Sequence, residues 1–233
     1  MLPNSNNGVG LCVFATARYN MFLEGVVATA RRFWQTSLPL SIVTFTDILP
    51  SPWLSDVRIH VVHEPWPYVT LYRYRHITNA AEYLQSFKYL FMCDADMEFV
   101  GTIGDELLTD LAATIHCGYA HTPTVRLPFL NHPTSRAHVT KGSGKHYYAG
   151  GFQGGATQSY LTACQIMAEA IEEDERNDYI ADWHDESHWN AYLARNPPSV
   201  SLSPSYCCGT LNRKPSDVKL LALDKPHAAM RKE

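Results

Sequence analysis

Apolar residues recur along the chain with two different periods, and their order predicts an α/β fold. Short apolar runs rich in β-forming residues have the length of buried strands and lie at residues 11–15, 40–46, 57–62 and 88–93. Between them, apolar residues recur every three or four positions over residues 22–34 and 71–84, as on one face of a helix. The succession strand, helix, strand, strand, helix, strand is typical of a largely parallel, Rossmann-like sheet flanked by helices.

The second half of the chain has a different pattern. Residues 118–155 are rich in Gly, Pro, His, Thr and Tyr and show little periodicity. The glycine pairs at 150–151 and 154–155 indicate either backbone that passes close to a ligand or another segment, or a glycine-rich hairpin with no ligand. Helical spacing over residues 160–171 predicts a third helix that ends in a solvated acidic run at 172–175, and helical spacing returns near 183–193.

Two carboxylates end the apolar run at 88–93. Asp94 and Asp96 are two residues apart, so on an extended backbone both side chains leave the same face. Parallel sheets bind ligands at the carboxyl ends of their strands, and the end of the first strand, from Phe14 to Tyr19, is expected beside this pair. Two hard oxygen ligands there can hold Mn2+ or Mg2+ next to a diphosphate. The alternative is an ordinary turn at the end of a strand.

Composition and charge narrow the class of protein. The 233 residues suffice for one large domain or two small ones, and no linker divides them. A net charge of -4 argues against nucleic-acid binding. The chain has no apolar run of transmembrane length, and its first residues lack the features of a signal peptide, so we expect a soluble, cytoplasmic protein. The six cysteines show no Cys-x-x-Cys spacing and are expected to be reduced core residues.

A second chemical cluster is the segment Trp183-His-Asp-Glu-Ser-His188. Its tryptophan can stack on a sugar face, and Asp185 and Glu186 can bind hydroxyls or stabilise a developing positive charge. His184 and His188 are four residues apart and could present two zinc ligands on one helix face, but Glu186 is misplaced for the base of a His-Glu-x-x-His metalloprotease. A further alternative is a helix start with acidic residues near its positive end.

Five motifs follow one another along the chain. They are Phe14-Ala-x-x-x-Tyr19, Cys93-Asp-Ala-Asp-Met-Glu-Phe99, Tyr147-Tyr-Ala-Gly-Gly-Phe-x-Gly-Gly155, Trp183-His-Asp-Glu-Ser-His-x-Asn-x-Tyr-Leu193 and Leu202-Ser-Pro-x-Tyr206. In this order they resemble glycosyltransferase family 6, the retaining α-1,3-galactosyl- and N-acetylgalactosaminyltransferases that include the ABO blood-group enzymes. The resemblance runs from about Phe14 to Arg231 and implies a GT-A fold. It also implies one catalytic domain, residues 1–233, with a nucleotide-binding half at about 8–110, a donor-sugar and acceptor half at about 111–210, and a tail at 211–233 that closes over UDP.

The resemblance implies a UDP-sugar donor and assigns residues to it. The donor-binding residues implied are Phe14, Ala15, Thr16, Tyr19, Arg73, Asp94, Ala95, Asp96, Ala149, Gly150, Gly151, Asp185, Lys225, His227 and Arg231. Asp94 and Asp96 would bind Mn2+ (or Mg2+) beside the two phosphates. The three cationic tail residues would order over the diphosphate and exclude water. The alternatives are a solvated helix arginine at Arg73 and a plain basic tail.

Glu186 is the implied catalytic residue, and two retaining mechanisms stay open. In a double displacement its carboxylate would be the nucleophile, whereas in attack from the leaving-group face it would stabilise the oxocarbenium-like charge and orient the acceptor. The acceptor-binding residues implied are His116, Trp183 and Glu186. Asp185 would hydrogen-bond hydroxyls of the donor sugar.

The motif that starts at Tyr147 also implies a choice of donor. Ala149 and Gly151 are both small, which in the family admits an acetamido group, so UDP-N-acetylgalactosamine is expected, with UDP-galactose as the alternative. The implied acceptor is an oligosaccharide with terminal galactose, with or without a 2-linked fucose. After Tyr206 the chain departs from the animal pattern and has Cys207-Cys208, which leaves the acceptor contacts there open; the whole indicates a bacterial or phage-type soluble member. An inverting transferase and a non-catalytic glycan-binding domain are the rival interpretations.

Overall fold

The computed structural model describes residues 7–209 and 217–230. Its strands are β1 (Val9–Ala15), β2 (Leu40–Thr46), β3 (Val57–His60), β4 (Tyr89–Asp94), β5 (Met97–Phe99), β6 (Ala112–Ile115), β7 (Tyr148–Ala156), β8 (Val200–Leu202), β9 (Cys208–Gly209) and β10 (Leu220–Ala222). Seven of them form one sheet in the order β3-β2-β1-β4-β7-β6-β8. All neighbours are parallel except that β7 runs antiparallel to β4 and β6. The predicted fold class, a mostly parallel α/β sheet, is confirmed.

Helices cover the main sheet, and a second, three-stranded sheet has the order β5-β10-β9. The helices are α1 (Leu23–Phe33), α2 (Tyr68–Leu71), α3 (Arg73–Asn79), α4 (Ala81–Leu84), α5 (Thr157–Arg176), α6 (His184–Arg195) and α7 (His227–Met230). Within residues 7–209 and 217–230, no helix has both the length and the apolar character needed to span a bilayer.

The main sheet separates two apolar cores. In β4, Phe91 and Cys93 belong to the core that contains α1, whereas Leu90 and Met92 belong to the core that contains α3, α5 and α6. All four side chains are fully buried. A strand points successive side chains to opposite faces, so burial on both faces requires the uninterrupted apolar sequence that predicted this strand.

The predicted helix over residues 71–84 is wrong in its continuity, because the structure divides this segment into α2, α3 and α4. Tyr72 and Ala80 separate them, with backbone angles near (-83°, 2°) and (-94°, 5°) that lie outside the helical range. Helical spacing of apolar residues persisted across these breaks because each short helix packs the same face on the sheet. The breaks leave Arg73 as the first residue of α3.

The prediction of a solvated acidic run at 172–175 is wrong for one residue, Asp174. Asp174 is buried in the last turns of α5, where its carboxylate accepts hydrogen bonds of 2.6 Å from the Ser135 hydroxyl and 2.7 Å from the backbone N–H of Arg136. These bonds join the segment around residue 135 to α5 and satisfy the hydrogen-bonding capacity of the buried carboxylate, as buried polar groups require.

The second glycine pair lies in the middle of the sheet rather than in a hairpin turn. A side-chain carbon on Gly154 would fall 2.2 Å from the backbone oxygen of Leu90, on the neighbouring strand β4. Only glycine permits this approach of β7 to β4. The expectation of backbone running close to another segment is therefore confirmed at this position.

Candidate active site

The carboxyl ends of β1 and β4 lie side by side and form the floor of a crevice. Phe14 pairs in register with Asp94, and the chain leaves β1 through a turn in which Ala17 has a positive φ of 48°. The backbone N–H of Ala17 donates a 2.9 Å hydrogen bond to Asp47, which follows β2. The expected neighbourhood of the two strand ends is thus present, because parallel strands end at one edge of the sheet.

One cavity at this edge brings together most of the predicted nucleotide-binding residues. It is lined by Phe14, Thr16, Tyr19, Arg73, Asp94, Ala95, Asp96, Lys225 and His227. Ala15 is not among the lining residues, because its side chain points into the core on the α1 side of the sheet. It can reach a ligand in the cavity through its backbone alone.

Both strand-end aspartates are paired with cationic side chains. Arg73 contacts Asp94, and Lys225 contacts Asp96. Lys225 also lies over the ring of Tyr19, 5.3 Å from its centroid. These contacts tie the tail to the end of β4 and place two cations and two carboxylates at one side of the cavity.

Arg73 is a buried bridge between two carboxylates. Only 6% of its surface is exposed, and its guanidinium contacts Asp94 and the buried Asp185 at the same time. Desolvation lowers the pKa of Arg73, but the two carboxylates together raise it by more. The guanidinium therefore stays charged. The alternative of a solvated helix arginine does not fit this position. A forked guanidinium can satisfy two separate carboxylates, which a lysine cannot do in the same way.

Asp185 and Glu186 lie in the first turn of α6, directly after its strained first residue. His184 has a positive φ of 51°, a conformation that costs free energy in a residue other than glycine. Asp185 is buried against Arg73, and burial raises the pKa of its carboxyl, partly offset by that guanidinium. Trp183, in contrast, leaves 52% of its surface exposed.

The carboxylate of Glu186 is held on β7. The backbone N–H of Gly150 donates a 2.8 Å hydrogen bond to it. Burial raises the pKa of Glu186 to about 7, and the Gly150 hydrogen bond and the neighbouring Tyr147 offset only part of this effect. Burial raises the pKa of the Tyr147 hydroxyl, and the nearby carboxylate of Glu186 adds to this rise. The third motif contains Tyr147, but the motif alone implies no role for it; its position directly before β7 is the signal in the sequence.

Asn190 fixes α6 against β7, one helical turn beyond Glu186. Its side-chain carbonyl accepts a 2.8 Å hydrogen bond from the backbone N–H of Tyr148, and its amide donates one of 2.8 Å to the carbonyl of the same residue. The side chain thus completes the backbone pairing of a strand end, and it is buried. This pair of bonds sets the distance between Glu186 and the glycines of β7.

The small residues of β7 face a confined space. Ala149 is buried, and a side-chain carbon on Gly151 would lie 3.1 Å from a carboxylate oxygen of Asp94 and 3.2 Å from the sulfur of Cys207. Cys207 is therefore a wall of the same space, at the position where the sequence departs from the animal pattern. The structure places Gly150 and Gly151 next to Glu186 and Asp94 respectively.

His116, Tyr119 and Tyr147 form an aromatic cluster, and its Tyr147 lies next to Glu186. The ring of His116 lies 5.9 Å from that of Tyr147, and Tyr119 packs against both. The Nδ1 atom of His116 accepts a 3.0 Å hydrogen bond from the backbone N–H of Gly118, and burial lowers the pKa of the ring. His116 is therefore neutral at pH 7 and reaches the Glu186 side of the site through Tyr147.

The two histidines of α6 do not share a metal site. His184 packs edge-on against Trp66, whereas His188 is buried with its Nε2 atom 3.6 Å from Asp174. Burial lowers the pKa of His188 to about 4, so the ring is neutral. No three metal-binding side chains converge anywhere in the part of the chain that the structure describes. The zinc interpretation has no support in this arrangement.

The cavity has lining residues that the sequence did not predict, and one predicted donor-binding residue lies outside the described part of the chain. Arg231 lies outside the described residues. The missed lining residues come from the irregular segment after β3 and from α2 and α3: Val61, Val62, Glu64, Trp66, Val69, Thr70 and His76. The Pro65-Trp66-Pro67 sequence was the available signal, since two prolines fix an aromatic residue beside the sheet edge.

Comparison with known proteins gives consistent matches. A model of the family described as Glycosyltransferase family 6 matches residues 1–232. The chain is 32% identical to histo-blood group ABO system transferase 1 of Rattus norvegicus, over 97% of this chain and 69% of that protein. It is 30% identical to globoside alpha-1,3-N-acetylgalactosaminyltransferase 1 of Homo sapiens, over 97% and 69%. It is 26% identical to the O-antigen biosynthesis glycosyltransferase WbnI of Escherichia coli, over 93% and 94%.

Proposed function

The chain belongs to glycosyltransferase family 6, and we propose that it transfers N-acetylgalactosamine from UDP-N-acetylgalactosamine in α-1,3 linkage to a β-galactoside. The transfer retains the anomeric configuration. The observation that carries the proposal is the half-buried carboxylate of Glu186, which Gly150 holds. The next residue, Gly151, lies against Asp94, which lines the cavity together with Asp96. A binding domain needs no such carboxylate beside a phosphate site.

The cavity at the ends of β1 and β4 is suited to UDP. Phe14 offers a ring that already stacks on Phe45, with centroids 4.3 Å apart, and Thr16 is hydrogen-bonded to His63 at 2.8 Å. In the proposed complex, uridine lies against these residues and the diphosphate lies toward Asp94 and Lys225. The first half of the chain then binds the nucleotide, and the second half binds the donor sugar and the acceptor.

The residues at the phosphate end fit a divalent cation, Mn2+ or Mg2+. Asp94 and Asp96 provide hard oxygen ligands, and such ions are commonly held by one or two carboxylates together with substrate phosphates. Their present partners, Arg73 and Lys225, show that this point of the structure favours positive charge. When bound, the metal ion neutralises charge on the departing diphosphate. Lys225 and His227 of the tail lie on the same cavity and add positive charge over it.

Glu186 acts on the anomeric carbon in either retaining mechanism. As a nucleophile, its carboxylate forms a bond to that carbon while the bond to UDP breaks, and the acceptor hydroxyl then displaces it. In same-face attack the carboxylate stabilises the positive charge without forming a bond. In both cases the group must be ionised, and the N–H of Gly150 supports the ionised form. Asp185, held by Arg73, is available for hydroxyls of the donor sugar.

The small residues Ala149 and Gly151 support the choice of donor, and Trp183 and His116 support the location of the acceptor. Ala149 and Gly151 leave room for an acetamido group, and the tight surroundings of Gly151 mean that one added carbon would reduce that room. A pocket with room for the acetamido group also admits galactose, which is smaller at that position. UDP-galactose is therefore the alternative donor. Trp183 is exposed and lies three residues before Glu186, and the half-buried His116 contacts Tyr147, which lies next to Glu186. In the proposed complex a terminal galactose, with or without a 2-linked fucose, binds near these residues.

The test is UDP release from UDP-N-acetylgalactosamine and, separately, from UDP-galactose. Each reaction contains 2'-fucosyllactose or lactose, with Mn2+ or with excess chelator. Metal-dependent turnover that prefers the acetamido sugar and yields an α-linked product supports the proposal. A preference for galactose corrects the donor, turnover in chelator removes the metal, and a β-linked product overturns retention. Glycan binding without turnover, with wild type and Glu186→Gln alike, indicates a non-catalytic binding domain.

A further inference from the structure

Two cysteines from distant parts of the chain lie in direct contact. The sulfur atoms of Cys117 and Cys208 are 2.8 Å apart, although the residues are 91 positions apart in the sequence. Cys117 is the first residue of a 3-10 helix, Cys117–Tyr119, and Cys208 is the first residue of β9. The two sulfurs need to approach by about 0.75 Å to reach the ~2.05 Å separation of a disulfide.

The pair differs from Cys12, Cys93 and Cys164 in access and in partners. Cys12, Cys93 and Cys164 are fully buried in the apolar cores, and burial raises the pKa of each thiol. Cys208 is buried as well, but Cys117 is half-buried, so a small reagent can reach the pair from one side. An accessible thiol next to a buried one is the usual arrangement of an attacking and a resolving cysteine.

We propose that Cys117 and Cys208 form a redox modification site that a low-molecular-weight disulfide such as oxidised glutathione converts to an intramolecular disulfide. The Cys117 sulfur attacks the glutathione disulfide, forms a mixed disulfide and releases one glutathione thiol. The Cys208 sulfur then attacks the Cys117 sulfur and releases the second. Two protein thiols are oxidised, one glutathione disulfide is reduced, and the two thiol protons pass to the two glutathione molecules that leave.

The disulfide would join two segments that each lie close to Glu186, the aromatic cluster and the segment that contains Cys207. Cys117 directly follows His116 of the aromatic cluster. Cys208 directly follows Cys207, whose sulfur lies 3.2 Å from a side-chain carbon placed on Gly151. Because the thiols already touch, oxidation fixes the geometry that is present rather than a new one. If the crevice binds an acceptor, as the proposed function requires, the oxidised protein should bind it more tightly, with a KM several-fold lower and an unchanged KM for the donor.

The first experiment concerns the bond itself and does not depend on the proposed function. The full chain is equilibrated with reduced and oxidised glutathione at several ratios, its remaining thiols are alkylated, and its peptides are mapped by mass spectrometry. We expect a peptide that links Cys117 to Cys208, and a rise in Tm of roughly 5 °C or more that a reductant reverses, because a long loop is closed. Linkage of Cys207 to either residue, or two alkylated thiols at every ratio, would overturn the inference.

Variants separate the bond from its consequence. Cys117→Ser and Cys208→Ala should each abolish the rise in Tm, whereas Cys207→Ser, at the adjacent position, should keep it. If one of the first two variants fails to fold, the other carries the test. Acceptor KM is then compared in oxidised and reduced protein. An identical KM with the disulfide present overturns the role in the crevice, and an inactive protein that forms the disulfide overturns the proposed function alone.

Discussion

The backbone N–H of Gly150 donates a 2.8 Å hydrogen bond to the carboxylate of Glu186, and this contact joins the glycine-rich strand β7 to the start of α6. Glu186 is half-buried, and desolvation raises the pKa of its carboxyl to about 7. Its charge in the neutral pH range therefore depends on small changes of environment, which gives two measurable consequences.

Activity should fall as the pH drops below about 7. Burial favours the protonated form of Glu186, and a protonated carboxyl can neither attack the anomeric carbon nor stabilise positive charge there. We expect kcat/KM to drop about tenfold per pH unit at pH values well below the pKa. The profile is measured from about pH 5 to 9, with circular dichroism to show that the protein stays folded. A flat profile across this range would exclude Glu186 as a group that must be ionised.

Glu186→Gln should abolish activity but stabilise the protein at high pH. The pKa of the folded state, about 7, lies above the ordinary value of 4.5, so the folded state binds more protons and the wild type loses stability as the pH rises from 4.5 to 7. The neutral glutamine avoids this loss, which is on the order of 3 kcal/mol at pH 8. Urea unfolding at about pH 4 and 8 measures it. The exposed Glu82→Gln serves as the control, and an equal gain at both pH values would contradict the explanation.

Arg73→Ala should destabilise the protein by about 3–5 kcal/mol, because it leaves the buried Asp185 and the neighbouring Asp94 without a counter-charge. Arg31 offers a matched control, since its pair with Asp56 is more than a third exposed and Arg31→Ala should cost about 0–1 kcal/mol. The free energy of unfolding in urea compares the two. Similar losses of unfolding free energy in both variants would show that the buried ion pairs of Arg73 stabilise the protein no more than the exposed pair of Arg31.

Gly151→Ala should shift the donor preference from UDP-N-acetylgalactosamine toward UDP-galactose. The new methyl group would lie about 3.1 Å from Asp94 and 3.2 Å from Cys207, so it fills the space that the acetamido group needs. We expect the ratio of kcat/KM values to change by about 10–200-fold, the usual range for such a steric difference. Gly25→Ala is the control, because no atom lies within 4 Å of its added carbon and it lies on α1. An unchanged ratio in Gly151→Ala would place the acetamido group elsewhere.

Lys225→Ala should have opposite effects on two ligands. Its ammonium group contacts Asp96, so its removal leaves that carboxylate available to Mn2+ and should tighten metal binding in the absence of nucleotide. The same removal takes a cation from the nucleotide cavity and should weaken UDP binding about tenfold. Calorimetry measures both affinities. Lys219→Ala, which removes a lysine paired with Glu106, is the control; a parallel change in both affinities would contradict the proposed exchange of partners.

The sequence predicted the carboxyl ends of β1 and β4 as neighbours, and the structure confirms this because parallel strands must end at one edge. It predicted Asp94 and Asp96 together for the same reason. It did not predict that each would have a cation as partner, because Lys225 is far away in the chain and its approach depends on the pairing of β10 with β5. The roles assigned to these residues stay predictions until the experiments above are done.

Two errors have a common cause. The helix predicted over 71–84 is three short helices, and Asp174 of the supposed solvated run is buried. Periodicity reports which face of a segment is apolar, but not whether its backbone stays helical or which distant group a polar side chain meets. Ser135 and Arg136, which hold Asp174, come from a segment with no periodicity at all.

The sequence by itself determined the α/β class, the family and the set of residues with suitable chemistry, because strand periodicity and short motifs are local properties of the chain. The tertiary structure decided the burial, the pKa values and the contacts of those residues. It buried Arg73 between two carboxylates, raised the pKa of Glu186 to about 7, and brought Cys117 to 2.8 Å from Cys208. Burial and contact depend on segments that meet only after folding, so no local pattern specifies them.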